Sequence, residues 1–158
     1  IGIIGGFAAF TYWFPKMYGR MMDETLGKIH FWGTVIPFNF IFIPLFALGM
    51  GGQHRRIYNF QNFPELAAMQ PLRVTATVAL IVMMLFQIVF FYNVFRSLRK
   101  GERSGKNPWR ANTLEWTTPS PPPHGNWPPD RMPKVYRGPY EYSVPGREHD
   151  FWPQDERS

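Results

Sequence analysis

Hydrophobic and polar residues are distributed very unevenly along this chain. Phe, Ile, Leu, Val, Met and Ala dominate residues 1–97, whereas residues 98–158 are polar and contain 11 of the 16 prolines. Most of the charged side chains also lie in the second part. The break near Ser97 therefore separates two parts that are expected to fold in different surroundings.

Three apolar segments in the first part predict membrane helices. Residues 28–50 would rise roughly 34 Å as a helix, at about 1.5 Å per residue, which is enough to cross a bilayer. Residues 71–97 include an uncharged run from Val74 to Phe95 and predict a second span. Residues 1–18 end in an aromatic cluster typical of the membrane interface and predict the end of another transmembrane helix. The predicted fold is an all-α membrane protein.

The positive charges predict the orientation of these helices. Basic residues are concentrated where the last helix ends, at Arg96, Arg99, Lys100, Arg103, Lys106 and Arg110. Positively charged flanks stay on the cytoplasmic side. The tail, residues 98–158, is therefore predicted to be cytoplasmic, and the loop of residues 51–70 to be on the outer side.

The tail is too rich in proline for a helix or a central strand, so an extended conformation is predicted. It is nevertheless rich in aromatic residues: Trp109, Trp116, Trp127, Tyr136, Tyr140, Tyr142, Phe151 and Trp152. A solvated disordered tail carries few aromatics. We therefore expect the tail to be ordered against a surface of the complex to which it belongs.

Composition narrows the classes of function. The chain has no cysteine, which excludes disulfides and thiolate metal sites. Its formal charge of +6 lies beside apolar helices, so membrane topology explains it and lipid, not nucleic acid, is the predicted partner. The sequence opens at Ile1 within an apolar run, without a basic leader, so we expect a fragment or a processed chain.

Arg55 and Arg56 are the strongest candidates for binding chemistry. They follow a glycine-rich end of the second helix and place two guanidinium groups side by side in the predicted outer loop. Guanidinium binds carboxylates bidentately and keeps its charge at low dielectric, so the propionates of a buried cofactor are one predicted partner. Lipid phosphate is an equal alternative.

The other polar residues of the apolar part predict structural roles. His30 has no second ligand at i+3 or i+4, so it is not predicted to bind metal. Asn39 and Gln87 are expected to form hydrogen bonds between helices. Arg73 is expected to reach the lipid headgroups. The short loop with Lys16, Arg20, Asp23 and Glu24 is expected to be solvated. No catalytic residue set or metal-ligand set is predicted in this chain.

Several motifs resemble subunit I of the haem–copper oxygen reductases. GGFAAFTYWFPKMYGRMMDETLGKIHFW, residues 5–32, resembles the junction between two late helices of that subunit. GMGGQHRRIY, residues 49–58, resembles the loop between its last two helices. NPWRANTLEWTTPSPPPHGNW at 107–127 and YRGPYEYSVP at 136–145 are similar to the cytoplasmic tail of bacterial members. The resemblance covers nearly the whole chain and implies its C-terminal part.

The resemblance implies a function for the complex. The complex is expected to take electrons from cytochrome c, or alternatively from quinol, reduce oxygen to water and pump protons. Low-spin and high-spin haems and copper are implied cofactors, with their ligands in the rest of subunit I. The implied partners are that remainder, subunits II and III, and cytochrome c through the complex. The implied location is the bacterial cytoplasmic membrane in preference to the mitochondrial inner membrane.

Within this resemblance, Arg55 and Arg56 match the pair that interacts with the haem propionates. Two departures affect the neighbouring residues. His54 occupies a position that is often proline, and Ile43-Pro44-Leu45-Phe46 replaces a commoner Phe-Pro-Gln-His pattern.

The alternative hypothesis for the chain as a whole is a non-catalytic three-helix accessory or assembly subunit of a membrane complex.

Overall fold

The computed structural model describes residues 2–54, 56–59, 62–141, 145–146, 148 and 152–157. Its α-helices are α1 (Gly2–Tyr18), α2 (Glu24–Met50) and α3 (Gln70–Lys100). Short 3-10 helices cover Pro64–Met69, Leu114–Thr117 and Pro129–Arg131. No strand occurs in the described ranges, and the predicted all-α class is confirmed. Tyr142 and Phe151 of the predicted aromatic tail lie outside these ranges.

The chain divides into two compact units, residues 1–22 with 96–158 and residues 23–95. In the second unit, α2 and α3 run antiparallel: as the residue number increases along α2, the number of its hydrogen-bonded partner on α3 decreases. Asp23 pairs with Asn93, and His30 pairs with Gln87. The buried residues of α2 lie at helical spacing on one stripe: His30, Gly33, Thr34, Pro37, Ile41, Pro44 and Leu48.

A glycine sets the close approach of α2 and α3. A Cβ atom added at Gly33 would overlap the ring of Phe86. Phe86 therefore occupies the space that any larger residue at position 33 would need. Small residues at helix contacts in membranes allow backbones to approach closely, and this contact is an example.

The first turn of α2 is held by two side chains. Asp23 is the N-cap, and its side chain accepts a hydrogen bond of 2.9 Å from the Leu26 amide. Asn93 of α3, only 1% exposed, accepts from the Asp23 amide at 3.1 Å and donates to the Asp23 carbonyl at 2.9 Å. Asp23 is thus a structural residue, and the prediction that it is solvated is wrong.

In the first unit, the end of α1 is covered by the chain that follows α3. Gly19, at φ +65°, ends α1 with a left-handed turn. The Met21 amide donates to the Glu102 carbonyl at 2.8 Å, and the Ser104 amide donates to the Gly19 carbonyl at 2.9 Å. Arg20 donates to the Gly101 carbonyl at 2.7 Å. This short antiparallel pairing ties the start of the tail to α1, so Arg20 is not a freely solvated cation as predicted.

Candidate functional site

The loop between α2 and α3 contains the predicted arginine pair. Arg55 lies outside the described residues. Arg56 is exposed and has φ +62°, in the left-handed region that side chains other than glycine rarely adopt. Such a conformation costs of order 1–3 kcal/mol and persists only where the surrounding structure determines it. Among the described residues, Arg56 has no hydrogen bond or ion pair.

Arg73 determines the shape of this loop from the first turns of α3. Its guanidinium donates to Gln53 Oε1 at 2.9 Å, to Gln70 Oε1 at 3.0 Å and to the Leu66 carbonyl at 3.1 Å. It therefore joins the segment after α2, the 3-10 helix Pro64–Met69 and α3. Three donors of Arg73 are thus directed at the protein, and its contact with lipid headgroups stays a prediction. Arg56 is thus presented by a braced loop.

A polar group lies between α2 and α3 within the membrane-spanning part. His30 Nε2 is 3.0 Å from Gln87 Oε1, and the Gln87 amide donates to Thr34 Oγ1 at 3.2 Å and to the Met83 carbonyl at 2.9 Å. The amide oxygen can only accept, so this contact is a hydrogen bond in the tautomer whose Nε2 carries the hydrogen. The hydrogen bond predicted between helices for Gln87 is confirmed. That for Asn39 is wrong, since its amide donates to Val35 of its own helix.

Lys16, at the end of α1, is the most deeply buried charged side chain in the described part of the chain, at 6% exposed. Its Nζ donates to the Thr118 carbonyl at 2.7 Å and to the Lys106 carbonyl at 3.0 Å, with the Pro119 carbonyl at 3.5 Å. It also lies 5.1 Å from the ring centre of Trp116. Lys16 therefore binds the tail, and the prediction that it is solvated is wrong.

Trp116 and Trp109 of the tail pack on the same end of α1. Trp116 is 1% exposed and meets the Tyr12 ring edge to face, with centroids 5.2 Å apart. Trp109 stacks on the same Tyr12 ring, with centroids 6.2 Å apart, and its Nε1 donates to the Tyr12 carbonyl at 2.8 Å. We name Tyr12, Lys16, Trp109 and Trp116 the tail clamp. The tail is thus ordered by α1 of its own chain.

The end of the tail folds back on the preceding segment. The Tyr136 amide donates to the Gln154 carbonyl at 2.9 Å, and the Gln154 side chain donates to the Arg137 carbonyl at 3.0 Å. The Arg137 guanidinium lies 3.5 Å from the centre of the Trp152 ring. Trp152 is buried, and its amide donates to Asn112. The described tail therefore has a small core, which sequence reasoning did not predict.

Within the described ranges, no group of three or more His, Asp and Glu side chains is arranged to hold a metal ion. The two sites that the structure offers are the braced loop with Arg56 and the tail clamp. Adjacent arginines after glycines predict the first from the sequence, and its ligand stays a prediction. Sequence reasoning missed the second, although a lysine directly after an aromatic cluster and a proline was a usable signal.

The described structure is all-α, and two of its helical stretches, Glu24–Met50 and Leu66–Lys100, are long and apolar enough to cross a bilayer. The family model described as "Cytochrome C and Quinol oxidase polypeptide I" matches residues 1–82, just over half of the chain. The chain belongs to this family.

Individual relatives extend the similarity into the tail. The chain is 44% identical over 150 residues to the alternative cytochrome c oxidase subunit 1 of Bradyrhizobium diazoefficiens, covering 94% of this chain and 25% of that protein. It is 43% identical over 138 residues to the cytochrome c oxidase subunit 1 of Synechocystis sp., covering 87% and 24%. It is 37% identical over 125 residues to the cytochrome bo(3) ubiquinol oxidase subunit 1 of Buchnera aphidicola, covering 79% and 19%. The chain spans about a quarter of the length of these relatives, or less.

Proposed function

We propose that this chain is the C-terminal part of the catalytic subunit of a terminal respiratory oxidase. The single observation that carries the proposal is the family match over residues 1–82, which favours this hypothesis over an accessory or assembly subunit. Haem and copper, held by the remainder of the subunit, supply the centre at which oxygen is reduced to water. Proton pumping and assembly with subunits II and III belong to the same proposal.

The electron donor in this proposal is cytochrome c. The relatives with 44% and 43% identity to this chain are named as cytochrome c oxidase subunit 1, while at 37% identity one relative is named as a ubiquinol oxidase and another as a probable cytochrome c oxidase. Oxidation of reduced cytochrome c by the purified complex, compared with oxidation of a quinol, distinguishes the two donors. Turnover with quinol alone would reject cytochrome c.

The role proposed for Arg55 and Arg56 is to bind the haem propionates. Three features support it: the exposed Arg56 side chain, its left-handed backbone, and a loop braced by Arg73. The residues fit propionates chemically, because guanidinium is a fixed cation with a planar pair of donors. Their positive charge would hold the carboxylates ionised. It would also disfavour the oxidised haem, which carries more positive charge than the reduced haem.

Replacing Arg55 or Arg56 with Lys tests this role. Lysine keeps the charge but loses the planar fork, so we expect altered haem spectra and midpoint potentials in the purified oxidase. Loss of one hydrogen bond between charged groups is worth about 1.5–3 kcal/mol, which is roughly 10- to 150-fold in affinity. The matched control is Arg131→Lys in the tail, where the side chain is exposed. Wild-type spectra, potentials and turnover in both loop variants would leave the lipid-phosphate alternative.

We further propose that the tail lies on the cytoplasmic side of a bacterial membrane. The proposal rests on the basic residues at the end of α3, including Arg99 and Lys100 in its last turn. In inside-out vesicles, added protease should shorten the chain from its C-terminal end, whereas in right-side-out vesicles the tail should survive. Cleavage of the tail only in right-side-out vesicles would reverse this topology.

A further inference from the structure

Residues 107–111, here named the Trp109 loop, form a closed turn in the tail. Asn107 holds both ends, since its Oδ1 accepts from the Ala111 amide at 3.0 Å and its Nδ2 donates to the Ala111 carbonyl at 2.7 Å. Arg110 lies within the turn at φ +50°, in the left-handed region. The loop thus fixes a strained, exposed arginine directly after a tryptophan.

The Trp109 loop lies beside the aromatic residues near the end of α1. Trp109 donates to the carbonyl of Tyr12, which lies six residues before the end of α1, roughly 9 Å along the helix axis. Although Trp109 stacks on Tyr12, it is still 42% exposed. Trp13 and Tyr18 are also exposed at this end of α1. Tyrosine and tryptophan concentrate at membrane–water interfaces, so this group has the composition of an interfacial belt.

The charge around the loop is strongly positive. Between residues 96 and 111 there are six basic residues, Arg96, Arg99, Lys100, Arg103, Lys106 and Arg110, and one acidic residue, Glu102. The Arg103, Lys106 and Arg110 side chains are exposed. Cations beside interfacial aromatics complement the phosphates of anionic lipids. A protein partner at this loop would have to provide as much negative charge as the lipid phosphates do.

We propose that the Trp109 loop is a binding site for anionic phospholipid headgroups on the tail side of the membrane. Trp109 lies at the interface, its ring held by Tyr12, while Arg110 and Lys106 bind the lipid phosphate. The tail is then attached twice, to α1 through Lys16 and Trp116 and to the bilayer through this loop. This site requires only that α1 ends at a membrane surface, and Arg55 and Arg56 play no part in it.

The test uses the purified complex in nanodiscs of phosphatidylcholine with a rising fraction of brominated phosphatidylglycerol. The fluorescence assigned to Trp109 is the difference between wild type and Trp109→Phe. We expect this signal to be quenched, and Arg110→Asn to raise the half-quenching fraction of phosphatidylglycerol about fivefold. Asparagine tolerates left-handed backbone, so this variant removes the charge without adding strain. Lys106→Gln is a second variant with the same expected direction.

The control is Arg131→Asn, which removes an exposed tail arginine outside the loop and should leave the curve unchanged. Three results would overturn the proposal. One is equal quenching by brominated phosphatidylcholine, which shows no preference for anionic lipid. Another is an Arg110→Asn curve that matches the Arg131→Asn curve. The third is a Trp109 signal that no lipid quenches, which indicates that protein or water covers the loop.

Discussion

Lys16→Met should release the tail from α1 in the assembled complex. Methionine matches the length of lysine but donates no hydrogen bond, so the Thr118 and Lys106 carbonyls would lose their shared donor in a buried site. Each hydrogen bond to a charged group is worth about 1.5–3 kcal/mol, and contact with the Trp116 ring adds to this. We expect a loss of about 3 kcal/mol in tail attachment, which corresponds to roughly 100-fold faster limited proteolysis of the tail.

The matched control for this prediction is Lys28→Met on α2. Lys28 pairs with Glu24 at 2.8 Å across one helical turn, and because both side chains are exposed, water screens the pair and it contributes little to stability. Trp116→Ala, with Lys16 intact, should also release the tail, because it removes the buried ring from the clamp. If Lys16→Met and Lys28→Met give the same proteolysis rate, Lys16 does not attach the tail.

Gly33→Ala should weaken the packing of α2 against α3. The added methyl group would overlap the Phe86 ring, so either this ring or the helix backbones must move. Overfilling a packed contact costs about 1–3 kcal/mol, and movement here also disturbs the adjacent hydrogen bond between His30 and Gln87. We expect a lower thermal midpoint of the detergent-purified complex than that of the wild type.

Gly27→Ala is the control within the same helix. A Cβ atom at Gly27 meets nothing within 4 Å, so this substitution should be neutral or stabilise the helix by up to about 1 kcal/mol. Combining Gly33→Ala with Phe86→Leu should recover part of the loss, because the smaller side chain can yield space. The prediction is contradicted if the Gly33→Ala and Gly27→Ala complexes have equal thermal midpoints and if Phe86→Leu has the same effect with or without Gly33→Ala. The close contact would then contribute nothing to stability.

The prediction of the helices succeeded where hydrophobic length alone decides the structure. A run such as 28–50 must satisfy its backbone internally once it is out of water, so a helix follows from composition. The structure begins α2 earlier, at Glu24, because Asp23 caps it and Asn93 holds that cap. It continues α3 to Lys100, past the predicted end of the span. Helix ends depend on partners that lie far away in sequence.

Polar residues were predicted less well. Gln87 was correctly expected to form hydrogen bonds between helices, whereas Asn39 donates to its own helix. The chemistry of an amide is the same at both positions, and only the neighbouring helix decides which acceptor is within reach. Arg73 and Lys16 show the same limit, because a sequence gives the charge of a side chain but not the carbonyls that it meets.

The sequence by itself determined the all-α membrane class, the proline-rich tail and the adjacent arginines of the loop, because each follows from local composition. The tertiary structure decided which residues hold the tail. Lys16 and Thr118 are 102 positions apart, and no periodicity or motif links them. The tail has too few apolar residues for a large core, so it gains stability by burying Trp116 against α1. Lys16 lies beside the Trp116 ring and would be buried without partners there if the carbonyls of the tail did not accept its hydrogen bonds.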